Sequence, residues 1–163
     1  RLRIADVMFA AILLELLNGF ILVAVIFTGL RLFAAENDIA SISSIVTGLL
    51  LTWALGASFG RAATLLGAHS DLVVRLLPIA LRPMFWVSGI FFTVAELPEE
   101  LRALLWFNPL LHTTEYIRYG VFGAQDNGFV DLTVPILAIA AFYLLSVGLE
   151  SVLTQKSDRY QFT

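Results

Sequence analysis

His112, Glu115 and Arg118 follow one another at intervals of three, with Tyr116 and Tyr119 beside them. On a helix, residues three apart are neighbours, so the three polar groups can form one stripe with the carboxylate between two donors. Such a clasp has three possible uses: a network that fixes its segment against a neighbour, a lining for substrate passage, or acid–base work by a perturbed carboxylate. Two further charges stand in apolar surroundings. Glu15 lies three residues from Asn18, and Arg82 directly precedes Pro83. Phe85, Trp86, Phe91, Phe92, Trp106 and Phe107 form an aromatic concentration, which reads either as an interfacial belt or as a surface on which sugar faces stack.

Other chemistries lack their residues. The chain has two histidines, His69 and His112, and no cysteine, so the single close pair His112-x-x-Glu115 leaves a closed metal site short of ligands. No serine sits in a nucleophile-elbow pattern. The only lysine is Lys156, with no glycine-rich turn before it, so there is no P-loop to hold a nucleotide. No cofactor and no metal is expected, and the net charge of −3 is too small to call for a nucleic-acid partner.

The elements that must position these residues are written for lipid. Hydrophobic residues make up 59% and charged residues 14%, with a mean hydropathy of +0.87, against about 45–50% and about 25% in a typical soluble domain. Residues 8–30, 39–60, 72–94 and 132–153 each offer the roughly 20 mainly apolar positions a spanning helix needs. The third stretch is interrupted by Arg75, Pro78, Arg82 and Pro83. Because Pro83 suits a helix start, the third span is expected to begin there, with residues 72–81 partly along the interface and Arg82 snorkelling or paired. Between the last two spans, residues 96–123 are too polar to cross and too apolar for a loop. Pro98 followed by Glu99 and Glu100 predicts one helix start, and Asn108 followed by Pro109 predicts another. The two helices, 98–107 and 109–122, would be roughly 15 and 21 Å long, each short of a bilayer of about 30 Å. A re-entrant hairpin on the outer face is therefore expected. Gly56 and Gly60 form a G-x-x-x-G that permits close helix contact.

Basic residues orient the chain. With the tail inside, Arg1, Arg3, Arg61, Arg75, Lys156 and Arg159 flank the inner face, against Arg31, Arg102 and Arg118 outside. The same assignment puts Glu36, Asp38, Glu96, Glu99, Glu100, Glu115, Asp126 and Asp131 outside, and Glu150 near the cytosolic end. The chain opens on Arg1 directly against an apolar segment, which reads as the C-terminal part of a longer membrane protein. No repeat or linker divides it, and one membrane domain over residues 1–163 is the economical organisation.

Arg82-Pro83, Ser88-Gly89-Ile90-Phe91-Phe92, Leu97-Pro98, Asn108-Pro109, His112, Glu115 and Arg118, in that order and spacing, resemble the ABC-2 type permease subunits of capsular polysaccharide exporters. The wider family includes O-antigen and teichoic-acid export permeases. The resemblance implies an all-α integral membrane fold holding the last four of six spans. It further implies a homodimer paired with two copies of a cytoplasmic ABC ATPase in the bacterial inner membrane, with the C-terminus cytoplasmic. The substrate would be a lipid-linked polysaccharide, received outside by periplasmic export partners, and ATP would bind the partner subunit. His112, Glu115, Arg118, Tyr116, Phe91, Phe92, Trp106, Arg82 and Glu15 are the candidates for gate or translocation path. Two readings from other classes stand beside this one: a proton-coupled secondary transporter using Glu15 or Glu115, and a membrane enzyme acting on lipid-linked sugars.

Overall fold

The computed structural model describes residues 4–33, 39–123 and 128–160. Of the residues used above to orient the chain, Arg1, Arg3, Glu36, Asp38 and Asp126 lie outside these. Six α-helices follow in order: α1 Ile4–Phe33, α2 Ile42–Gly67, α3 Asp71–Trp86, α4 Glu99–Leu105, α5 Pro109–Phe122 and α6 Thr133–Tyr160, with a 3-10 turn at Val94–Glu96. No strand occurs among the described residues.

Helices α2, α5 and α6 begin where a side chain takes up a free amide. Ser41 caps α2 by accepting from the Ser44 amide. Asn108 caps α5 by accepting from the Leu110 amide, with Pro109 at the first helical position as the sequence predicts. At α6, Asp131 Oδ1 accepts from both the amide and the hydroxyl of Thr133, at 2.9 and 2.7 Å. Those two donors hold the Asp131 carboxyl below the usual carboxylate range. Pro98 sits one residue ahead of α4 rather than inside it, because its extended backbone, ψ 151°, serves as the cap. Glu99 and Glu100 fill the first turn of α4, while Glu96 closes a capping box on the 3-10 turn by accepting from the Thr93 amide. Arg102 reaches back from α4 to the carbonyls of Ala95 and Leu97, tying the helix to that turn.

Among the described residues, α2 and the Thr133–Val152 part of α6 are long and apolar enough to cross a membrane, and α1 carries the apolar stretch Phe9–Val25. The third expected span, 72–94, is not one continuous helix. Here α3 has 16 residues, about 24 Å, and stops at Trp86. It stops because Ser88 Oγ takes the Phe85 carbonyl and Gly89 turns into the left-handed region at φ +81°. Pro83 is not a helix start. The helix begins twelve residues earlier at Asp71 and runs through both Pro78 and Pro83.

Helix α2 is the axis on which α5 and α6 pack. Gly120 of α5 meets the beginning of α2, where the Ser41 amide donates to the Gly120 carbonyl at 2.8 Å. Gly48 of α2 lies against Ile117 and Thr113, one and two turns earlier in α5. The other half of α2 is covered by α6, with Phe59 edge-on to Phe142 and Arg61 paired with Glu150 and lying over the Tyr143 ring. Among the described residues, Ile45, Leu55, Ala62, Val94 and Leu111 form the buried apolar core, whereas large apolar side chains of α1, α3 and α6 face outward. A surface of that size and kind suits a membrane or other protein rather than water.

Candidate functional site

The connection from α3 to the 3-10 turn, residues 87–93, has little regular structure of its own, so its backbone polar groups need partners from elsewhere. Helix α5 supplies them. Asn108 Nδ2 donates to the Val87 carbonyl at 2.9 Å, and Arg118 Nη2 donates to the Gly89 carbonyl. Glu115 Oε1 accepts from the Val94 amide at 3.2 Å and from Arg118 Nη1. The clasp is therefore an ion pair whose two members each also hold one backbone group of the connection. Glu115 is 10% and Arg118 17% exposed, which shields the pair from solvent. Leu111 seals the arrangement: a Cβ on Gly89 would lie 2.5 Å from its Cδ1, so this turn admits only glycine on both conformational and steric grounds.

His112 belongs to a different contact from the one its spacing predicts. Glu115 does not sit between His112 and Arg118; its second donor is the Val94 amide. The fully buried imidazole donates from Nε2 to the Trp106 carbonyl at 2.6 Å and accepts at Nδ1 from the Asp131 amide at 3.1 Å. Those partners require the neutral ring with its proton on Nε2. Phe129 stacks on the ring at 5.1 Å and Trp106 meets it edge-on at 5.7 Å. His112 thus joins the tip between α4 and α5 to the start of α6. One helical face ties α5 to α3 and an adjacent face ties it to α6.

The family assignment follows from the same stretch of chain: the ABC-2 type transporter family matches residues 1–122, from the beginning of the chain through the last residue of α5. The chain belongs to that family. It is similar to the polysialic acid transport protein KpsM of Escherichia coli, 26% identical over 119 residues, which is 71% of this chain and 45% of the relative. It is similar to nodulation protein J of Sinorhizobium fredii, 33% identical over 127 residues, 75% of this chain and 48% of the relative. To the capsule polysaccharide export inner-membrane protein CtrC of Neisseria meningitidis it is 28% identical over 156 residues, 91% of this chain and 59% of the relative. The chain spans about half the length of the curated relatives it matches.

In this ABC-2 chain the remaining candidates separate rather than converge. Tyr116 stacks on Tyr119 at 6.4 Å, and neither enters the clasp. The aromatic concentration splits in two. Phe91 stacks on Trp86 at 4.9 Å and meets Phe85 edge-on at 5.7 Å, while Trp106 gathers Phe107 and His112 at the hairpin tip. Phe92 is half-buried and makes no ring contact among the described residues. Arg82 is exposed on α3, with no ion pair among the described residues. Glu15 is exposed and lines an open groove of about 510 Å³ between α1 and α2, beside Gly19, Gly56, Gly60, Thr52 and Arg61. Asn18 is exposed but does not line that groove.

Among the described residues Gly56 and Gly60 do not make the close contact their spacing permits, for both line the groove with open space where a Cβ would stand. The tight contacts are at Gly48 and Gly120. A Cβ on Gly48 would meet Ile117 Cγ1 at 2.5 Å, and one on Gly120 would meet the Ser41 carbonyl oxygen at 2.8 Å. Sequence reading passes over both, although Gly120 inside the last turn of an otherwise sound helix is a signal of close backbone approach. The Arg61–Glu150 pair and the Asp131 cap were also missed as interactions, since their partners lie far apart in sequence or come from backbone.

Proposed function

We propose that this chain is part of the permease subunit of an ATP-driven exporter that moves a lipid-linked, capsule-type polysaccharide across the bacterial inner membrane. The observation that carries this reading is the similarity to a capsule polysaccharide export protein over 91% of the chain, with the clasp inside the matched family region. On this reading two copies of the subunit face each other and two copies of a cytoplasmic ABC ATPase supply the energy. The chain has no P-loop of its own. The tail after α6 lies in the cytoplasm, and α4 with α5 forms a hairpin that enters from the outer face and returns, since at about 10 and 21 Å neither helix crosses alone. ATP binding and hydrolysis rock the two copies, and the path for the glycan opens between them towards periplasmic export partners. The clasp makes the hairpin and the end of α3 move as one body, because their backbone groups have no alternative partners in lipid. The protein does no covalent chemistry.

The test is export of surface polysaccharide by the full-length subunit, expressed with its ATPase in a strain lacking both. Export with the active ATPase and none with a hydrolysis-dead ATPase is the expected result. Export that persists with the dead ATPase and stops when the proton gradient is collapsed would replace this reading with the secondary transporter.

A further inference from the structure

His112 is fully buried, and both of its ring nitrogens are bonded to backbone groups. Nε2 donates to the Trp106 carbonyl at the hairpin tip, and Nδ1 accepts from the Asp131 amide at the start of α6. A carbonyl can only accept and an amide can only donate, so these two partners fit a ring that carries one proton and no more. A second proton, on Nδ1, would point at the amide hydrogen of Asp131 and break the bond to α6. It would also place a charge beside Phe129 and Trp106, whose rings stand 5.1 and 5.7 Å from the imidazole, and burial of a charge is costly without a partner.

The residue that loses this bond offers the charged ring another. Asp131 gives its amide to the neutral imidazole, while its carboxylate caps α6 by accepting from the amide and hydroxyl of Thr133. That carboxyl is held low chiefly by the two Thr133 bonds, with a smaller contribution from attraction to His112, which acts only when the ring is charged. Other charged groups on the elements around α5 are already engaged or stand apart. Glu115 and Arg118 hold each other and the 87–94 connection, Arg102 is bonded to the carbonyls of Ala95 and Leu97, and Glu96 caps the 3-10 turn. Glu99 and Glu100 lie in the first turn of α4, at the opposite end from Trp106. Arg61 pairs with Glu150 beyond the part of α2 that meets α5, and Tyr116 stacks on Tyr119.

We infer that His112 and Asp131 form a proton-operated latch: the neutral imidazole fastens the hairpin tip to α6 through the Asp131 amide, and acid releases it by turning Nδ1 from acceptor to donor, with the Asp131 carboxylate as the new acceptor. The proton comes from solvent and rests on Nδ1. Drawing the carboxylate off Thr133 also loosens the α6 cap. Because the released state binds one more proton than the latched state, the latched population falls as pH falls. The latch adds a control on the hairpin to the export reading and holds whatever the cargo is.

The experiment uses the full-length subunit with its ATPase in nanodiscs, taken from about pH 7.5 to about pH 5.5, where imidazoles titrate. Two signals are read: the imidazole nitrogen resonances of His112, assigned by their absence from His112→Asn or His112→Gln, and amide hydrogen exchange of residues 128–136, corrected for the intrinsic effect of pH. At the upper end the ring carries its proton on Nε2. As pH falls it gains a second on Nδ1, and protection of 128–136 drops about tenfold over the same range. The Asp131 carboxyl, held below the usual carboxylate range, stays ionised throughout, so its own protonation does not contribute. His112→Asn, whose side-chain oxygen accepts from the amide and takes no proton, keeps its protection at every pH. In Asp131→Asn the new acceptor is gone, so the ring titrates at lower pH than in the parent. Exchange of 128–136 that is indifferent to pH in the parent overturns the latch, even where a variant fails to fold. So does a ring that stays neutral while protection falls, an equal fall in His112→Asn, or a ring that titrates in Asp131→Asn as in the parent. ATP-dependent export is scored separately: an exporter without this pH response keeps the proposed function and loses only this inference.

Discussion

Glu115 and Arg118 each hold the other and one backbone group of the 87–94 connection, so removing either strands a charge and frees a buried amide or carbonyl. Breaking a fully buried pair costs about 3–5 kcal/mol, and the small residual exposure of these side chains places Glu115→Gln and Arg118→Gln near the lower end, about 3 kcal/mol each. The double substitution leaves no stranded charge and is expected to cost less than the two singles added together. Thermal unfolding of the purified variants, with export at matched membrane levels, checks this. A carboxylate used as a proton carrier behaves otherwise, leaving Arg118→Gln active and the double variant as dead as Glu115→Gln. Asp131 is a second residue-scale case, with a pH signature. Its carboxyl is held low by the Thr133 hydroxyl and amide, so the cap is at full strength above the ordinary carboxylate range and is lost as pH falls through the depressed value. Asp131→Ala is therefore expected to melt earlier than the parent at neutral pH, and the difference should shrink as the solution is acidified below that range.

Among the helices, what decides tolerance is where backbone meets backbone. Gly120 faces the Ser41 carbonyl oxygen, which is fixed by its own place in the chain, so Gly120→Ala forces α5 off α2. Overpacking of this kind costs about 1–3 kcal/mol. Gly89→Ala meets both a positive φ and Leu111, and is expected to be at least as harmful. Gly56→Ala stands in open space on an exposed helix face, where alanine is the better helix former by about 1 kcal/mol, so that variant is expected to be neutral or more stable. Melting temperatures of the three variants in one detergent rank them. Loss of stability in Gly56→Ala equal to that in Gly120→Ala would place a tight contact on the open groove face.

For the whole molecule, the orientation derived from the basic residues makes one sharp forecast. The α2–α3 turn and the α4–α5 hairpin belong on opposite sides of the membrane. This chain has no cysteine, so in a full-length protein made cysteine-free elsewhere, single substitutions His69→Cys and Ala103→Cys, both at exposed positions, give a clean background for an impermeant thiol reagent. In intact cells Ala103→Cys is expected to label from outside, and His69→Cys only after the membrane is opened. Labelling of both from outside contradicts the topology and removes the outer gate from the proposed mechanism.

Hydropathy, proline position and capping chemistry were enough to read an all-helical chain, the body of α1, α2 and α6, and the two short helices, with α5 at its observed boundaries. These features are local: a helix start depends on a few adjacent residues, and an apolar stretch declares its solvent without reference to its neighbours. The pairing of Glu115 with Arg118 was legible for the same reason, since three residues on a helix is a fixed distance. The separation of His112 from Glu115 and the choice of Gly48 and Gly120 over Gly56 and Gly60 were decided only by the tertiary structure. In each case the deciding partner lies at least nineteen residues away: the Asp131 amide on His112, Ile117 beside Gly48, the Ser41 carbonyl oxygen beside Gly120. Side-chain spacing records which groups can meet along one helix, whereas backbone amides and carbonyls are the same at every position and find their partners only when the chain has folded.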